Sequence, residues 1–83
     1  MRIRLKLFAD LSRHLPPDSK HNLTLMEVPS GATPHQVMDL CHVPRDQAHL
    51  VVLNGVFVLP HQRDGLALSE DDTLSLWPPV AGG

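Results

Sequence analysis

The residues with the clearest chemical potential stand at the carboxy terminus, where Pro78-Pro79-Val80-Ala81-Gly82-Gly83 carries no charged side chain and ends on two glycines. They follow the alternating run Asp72-Thr73-Leu74-Ser75-Leu76-Trp77 with no polar spacer. Two successive prolines fix φ and drive the residue before each into extended geometry, so residues 77 to 80 are predicted to leave the fold as a stiff, polyproline-like stem. Neither proline has an N–H to donate, so sheet pairing is expected to end at or just after Trp77. Six extended residues reach roughly 20 Å. Gly82 and Gly83 lack Cβ atoms, so another protein's backbone and catalytic groups can close around them, and the terminal carboxylate is expected to stand unshielded. Such an end fits a narrow active site. Frayed termini are also rich in small residues, but they begin in polar, flexible sequence, whereas this one stays apolar and stiff up to the glycines.

Other reactive side chains form weaker patterns. Six histidines (His14, His21, His35, His42, His49, His61) raise the question of a metal. His35 and His42, seven apart, could share one helical face, but no cysteine or carboxylate stands at a matching ligand spacing. No metal site is expected, and the histidines read as solvated. Cys41 falls on an apolar helical stripe and reads as a small core residue; His42 points about 100° away around the helix, so no activated thiolate is expected. Glu70-Asp71-Asp72 reads as a solvated turn that could also meet basic residues of a partner. Gly31, Gly55 and Gly65 are isolated, so no phosphate-cradling loop is present and any ATP is expected to bind elsewhere.

These residues need elements to hold them. Met1 to Ala9 alternates, with Ile3, Leu5 and Leu7 on one face and Arg2, Arg4, Lys6 and Phe8 on the other, as a half-buried strand does. Asp10 to Asn22 is a loop with one helical turn at Leu11 to His14, and Leu23 to Val28 resumes as an antiparallel partner. Thr33-Pro34-His35-Gln36 matches a capping box with proline at the first helical position. Val37, Leu40 and Cys41, flanked by Pro34 and Met38, mark the buried stripe of a short helix that ends near His42, because Pro44 forbids continuation. Arg45 to His49 reads as a 3₁₀ turn or loop. Leu50 to Leu53, Asn54-Gly55 and Val56 to Leu59 form a tight hairpin. A polar loop and an acidic turn lead to the last strand, Thr73 to Trp77.

The composition sets limits. Of the 83 residues 42 % are hydrophobic and 19 % charged, with net charge −2; that describes one globular domain of modest core. No apolar run is long enough to span a bilayer. One cysteine excludes an intrachain disulfide and agrees with a reducing, cytoplasmic setting. The charge, with no basic stripe beyond Arg2, Arg4 and Lys6, argues against a nucleic-acid partner. The three aromatics, Phe8, Phe57 and Trp77, stand at the parity opposite to their strands' core residues, which places them on the sheet face the helix leaves open. Aromatics gathered on a solvent face are expected to dock another protein.

The order strand, strand, helix, hairpin, strand describes an α+β, ubiquitin-like β-grasp: a mixed sheet of about five strands, one main helix on one face, and central parallel first and last strands. Residues 1–77 are expected to form this domain and 78–83 the extended tail. Phe8-Ala9, Val52-Leu53-Asn54-Gly55, Leu68-Ser69-Glu70-Asp71-Asp72 and above all Leu76-Trp77-Pro78-Pro79-Val80-Ala81-Gly82-Gly83 resemble the MoaD/ThiS sulfur-carrier family across essentially the whole chain. The Pro-Pro before the glycines is more similar to the small subunit of molybdopterin synthase than to the thiamin-pathway carrier. Departures are Trp77, where the family commonly has phenylalanine, the short helix ending in Cys41-His42, and the six histidines. The resemblance implies that a ubiquitin-activating-type enzyme uses ATP to adenylate Gly83. A sulfur donor protein then displaces AMP to leave a thiocarboxylate, whose sulfur passes to a pterin precursor in the large subunit of the synthase, within a heterotetramer. It implies that Pro78, Pro79, Val80, Ala81 and Gly82 insert into the partners, that Phe8, Phe57 and Trp77 bind them, and that the chain binds no cofactor itself and carries no catalytic acid or base. Alternative readings are a carrier for thiamin or another sulfur-containing metabolite, a ubiquitin-like protein modifier, and a passive interaction domain.

Overall fold

The protein is described by a computed structural model over residues 1–79. Five strands and one α-helix run in the expected order: β1 (Arg2–Leu7), β2 (Leu23–Glu27), α1 (Pro34–Leu40), β3 (Leu50–Leu53), β4 (Val56–Phe57) and β5 (Thr73–Trp77). The sheet order is β2-β1-β5-β3-β4. β1 pairs antiparallel with β2 and parallel with β5, and β5 pairs antiparallel with β3. The last strand is thus the middle strand, and the chain beyond Trp77 departs from the centre of the sheet.

One face of the sheet carries the core. Ile3, Leu5 and Leu7 of β1, Val51 of β3, and Leu74 and Leu76 of β5 are at most 1 % exposed, and Pro34, Val37 and Met38 of α1 close over them. Burying each such side chain stabilises the fold by about 2 kcal/mol. The helix stripe differs from the expected one in one residue: Leu40 is 48 % exposed and Met38 takes the buried place. Val56, whose parity opposite Phe57 would put it on the core side, is 68 % exposed, because β4 has only two residues at the edge of the sheet.

Both ends of α1 are written locally. The Thr33 hydroxyl accepts the Gln36 N–H at 3.3 Å and the Gln36 side chain accepts the Thr33 N–H at 2.9 Å, which completes the capping box. At the other end His42 adopts φ 63°, the Val43 N–H donates to the Met38 carbonyl at 2.9 Å and the His42 N–H to Asp39 at 3.2 Å. This is a Schellman closure with histidine where glycine is preferred, and it stops the helix at Leu40, before Pro44 acts. A 3₁₀ turn, Arg45–Gln47, comes next and is tied back by Arg45, whose Nε and Nη2 donate to the Asp39 carboxylate at 3.1 and 2.8 Å. Those bonds hold the Asp39 carboxyl below its ordinary pKa.

Asn54 (φ 50°) and Gly55 (φ 84°) make the tight β3–β4 turn. Asn54 also fastens the hairpin to β5: its Oδ1 accepts the Thr73 N–H at 2.8 Å and its Nδ2 donates to Asp72 Oδ1 at 2.9 Å. The acidic turn that the sequence suggests is merely solvated has structural duties. Asp72 also accepts the Ser69 N–H at 2.7 Å, and Glu70 accepts the N–H of Arg2.

The two helix ends predict opposite responses. Thr33→Ala is expected to lower the unfolding free energy by about 1 kcal/mol through loss of the cap, and His42→Gly to raise it by about 1 kcal/mol by relieving the left-handed backbone. Urea denaturation of both variants checks this; a change of the same sign in both would contradict the account of the helix.

Candidate functional site

The site is the base of the tail and the sheet face around it. Trp77 ends β5, Pro78 is half-buried and Pro79 exposed, neither in regular secondary structure. Val80, Ala81, Gly82 and Gly83, including the carboxylate expected to react, lie outside the described residues. Trp77 stacks on Phe8, with ring centroids 4.4 Å apart and planes 3° from parallel. The stack arises from topology: the Phe8 N–H donates to the Leu76 carbonyl at 3.1 Å and carries the parallel β1–β5 pairing one residue past β1. Ala9 then turns into the left-handed region (φ 51°), so the expected ninth strand residue begins the 3₁₀ turn Ala9–His14 instead.

Register places the third aromatic. Trp77 lies opposite Leu50, Ser75 opposite Val52, and Val52 opposite Phe57. Side chains of paired residues share a face, so Phe57, 46 % exposed, stands on the same open face as Trp77 and Phe8, two strands from the stack. Ser75 sinks between its neighbours and is buried. Beside the stack a groove of about 570 Å³ is lined by Ala9, Asp10, His49, Leu50, Trp77, Pro78 and Pro79. It is open, largely apolar, and large enough to receive a partner's side chains where the tail departs.

One buried residue escaped the sequence analysis. Arg63, in what reads as a polar loop, is 5 % exposed. Its Nη1 donates to the Ala48 carbonyl at 2.8 Å, Nη2 to His49 at 3.2 Å and Nε to Val58 at 3.3 Å, while its own carbonyl accepts the His35 N–H at 3.2 Å. Burial lowers its pKa from the ordinary arginine value. It fixes the Ala48-His49 segment that leads into Leu50, the strand neighbour of Trp77. Nothing in the local sequence marks this arginine, since its partners are backbone carbonyls of other segments.

The remaining candidates are dispersed. His21, His42, His49 and His61 are exposed as expected. His35 and His14 are not: the His35 Nδ1 lies 2.6 Å from Asp64 Oδ1, and partial burial, then Arg13 and His42, lower the pKa of His14. Among the described residues no three His, Cys, Asp or Glu side chains are grouped as a metal would need. Cys41 packs against the core, and burial pushes its thiol pKa up, opposite to what a nucleophile requires. No helix is long and apolar enough to cross a membrane among the described residues.

No protein-family model and no curated protein sequence matches the chain. Solved structures do. SAMP1 from Haloferax volcanii is 26 % identical, with both chains covered in full and a TM-score of 0.68. The Haloferax volcanii HVO 2177 protein is 25 % identical over all of this chain and 87 % of its own, with a TM-score of 0.75. These likenesses agree with the resemblance to the MoaD/ThiS family carried by the sequence motifs. A complex of subunits 1 and 2 of molybdopterin-converting factor from Helicobacter pylori 26695 shares the fold at 16 % identity over both full chains, with a TM-score of 0.59. The chain shares the α+β ubiquitin-like architecture of these proteins.

Arg63→Met, which removes the donors and keeps most of the volume, is expected to cost about 3 kcal/mol by leaving three carbonyls short of a partner. Urea unfolding measures it; a loss under about 0.5 kcal/mol, the scatter of ordinary surface substitutions, would show that Arg63 does not hold these loops.

Proposed function

We propose that this chain is a sulfur carrier and the small subunit of a molybdopterin synthase, with Gly83 as the residue that carries sulfur. The observation that supports this best is positional. The middle strand ends at Trp77 against a flat aromatic stack, and a Pro-Pro stem leads from there to Gly-Gly. A partner seated on the open face therefore has the tail delivered beside it. The complex of two subunits in the Helicobacter pylori molybdopterin-converting factor supports a protein partner for a chain of this fold.

The chemistry answers a limitation of the carboxylate itself. Oxide is a poor leaving group, so direct attack on the Gly83 carboxylate does not proceed. A ubiquitin-activating-type enzyme attaches AMP from ATP to that carboxylate and releases pyrophosphate. The terminal sulfur of a donor protein's persulfide attacks the acyl carbon and AMP departs. A thiol then reduces the S–S bond of the resulting acyl disulfide, leaving the Gly83 thiocarboxylate and a disulfide on the donor side. Within a heterotetramer with the large subunit, that sulfur is the nucleophile transferred to the pterin precursor. This chain contributes presentation: Phe8, Phe57 and Trp77 dock, Pro78 and Pro79 stiffen the stem, Val80 and Ala81 thread, and Gly82 leaves clearance around Gly83. ATP is bound by the activating enzyme, and the chain needs no metal or cofactor. Its single cysteine suits a reducing, cytoplasmic setting. A carrier of the same chemistry for thiamin or another sulfur-containing metabolite would share every step up to the acceptor.

ATP–pyrophosphate exchange by the activating enzyme tests the assignment. The full chain is expected to support exchange, and a chain lacking Gly83 to reduce it to background with its circular dichroism unchanged. Exchange by the shortened chain at the full chain's rate would overturn the role of Gly83.

A further inference from the structure

The open face is charged as well as aromatic. Arg2, Arg4 and Lys6 alternate along β1 with the core residues Ile3, Leu5 and Leu7 and so point to the helix-free side. Arg2 is neutralised by Glu27 at 3.2 Å. Among the described residues neither Lys6 nor Arg4 has a carboxylate within 4.0 Å; Arg4 donates to the backbone carbonyl of Asp71 at 3.2 Å. The other strands on the tail side of β1 offer this face no charge: register puts Thr73, Ser75, Trp77, Leu50, Val52 and Phe57 there. On the other side lie Leu23 and Leu25, the latter 57 % exposed. Two uncompensated cations therefore form a stripe between two neutral surfaces, in a chain whose net charge is −2.

The stripe cannot be avoided by a partner that binds Trp77. Adjacent strands are about 4.8 Å apart and a strand advances about 3.3 Å per residue, so Lys6 lies about 7 Å and Arg4 about 13 Å along β1 from the Phe8 ring that Trp77 stacks on. A stable protein interface covers roughly 800 Å² on each partner, whereas five strands of about 5 residues span only some 400 Å² in projection. A partner centred on the stack thus covers β1, and an apolar surface laid over Lys6 and Arg4 would strip water from two unpaired charges. We propose that the partner recognised by this face is a protein with an acidic surface: an apolar pocket for the Phe8–Trp77 stack and, about 7 and 13 Å from it, carboxylates that pair with Lys6 and Arg4. Overall charge alone would select a basic partner. This inference rests on the carrier reading and specifies the activating enzyme's docking surface.

The test is the steady-state rate of adenylation by a purified ubiquitin-activating-type enzyme from the same organism, with the native chain as variable substrate at about 50 to about 500 mM NaCl, a range over which surface charge is progressively screened. For the native chain kcat/KM should fall with salt. For Lys6→Glu, and for Lys6→Gln combined with Arg4→Gln, KM should rise about tenfold at low salt with kcat unchanged and a flatter salt dependence. Lys6→Arg should restore native values. Arg13→Glu, which alters net charge as much as Lys6→Glu but off this face, should stay within about twofold of native, the range of rim charges that steer weakly. Thermal melting shows that each variant is folded. If the native chain is adenylated and the Lys6 and Arg4 variants behave like Arg13→Glu, the acidic-partner inference is wrong and the carrier reading stands; if the native chain is not adenylated at all, both fall. Sedimentation of the native chain with vesicles containing anionic lipid, but not with neutral ones, would assign the stripe to a membrane and equally overturn the inference.

Discussion

The structure depends on the parallel pairing of β1 with β5. Local turns can build the two antiparallel hairpin-like halves, but only this pairing joins residues about seventy apart and puts the final strand in the middle of the sheet. Parallel neighbours need a crossover, and here the crossover contains α1, whose apolar face covers the core that the pairing creates. The same geometry brings Phe8, one residue beyond β1, beside Trp77, at the end of β5. Core, aromatic stack and tail exit are therefore one arrangement. A register shift of one residue along β1 would turn Ile3, Leu5 and Leu7 outward and separate the two rings together.

Much of this was legible because the signals are short-range. Alternation in β1 and β5, the Thr33–Gln36 capping box and Asn54-Gly55 each specify their own element within a few residues. The misreadings have long-range causes. Leu40 is apolar and suitably spaced, yet the helix closes there in a left-handed turn and leaves it in solvent. Val56 alternates as a core residue should, but its strand is two residues long at the sheet edge. Glu70 and Asp72 look like solvent-facing acids, and their partners Arg2 and Asn54 are distant in sequence. Arg63 is the limiting case, because a guanidinium held by three carbonyls leaves no complementary side chain to find.

For the site, the face shared by Phe8, Phe57 and Trp77 could be read from parity because strands obey a period of two. The stacking of two of them could not, since it needs the parallel register and the turn at Ala9. The cations of β1 were visible as a pattern, but their setting emerges only from the register, which places the uncharged Leu23, Leu25, Thr73 and Ser75 beside Lys6 and Arg4. Under the proposed function the Gly83 carboxylate would need no pocket in this chain: a carrier must keep its terminal acyl group accessible to successive enzymes, which would leave selectivity to the docking face and chemistry to the partners.

The central claim is that oxygen at the Gly83 carboxylate is exchanged for sulfur, and intact-mass spectrometry reads it directly. The chain with its native carboxy terminus is incubated with ATP, the activating enzyme and a sulfur donor, then weighed whole and after proteolysis. The account predicts a gain equal to the mass difference between one sulfur and one oxygen, confined to the carboxy-terminal peptide. An unchanged mass, with the same enzyme active on another carrier, would contradict it.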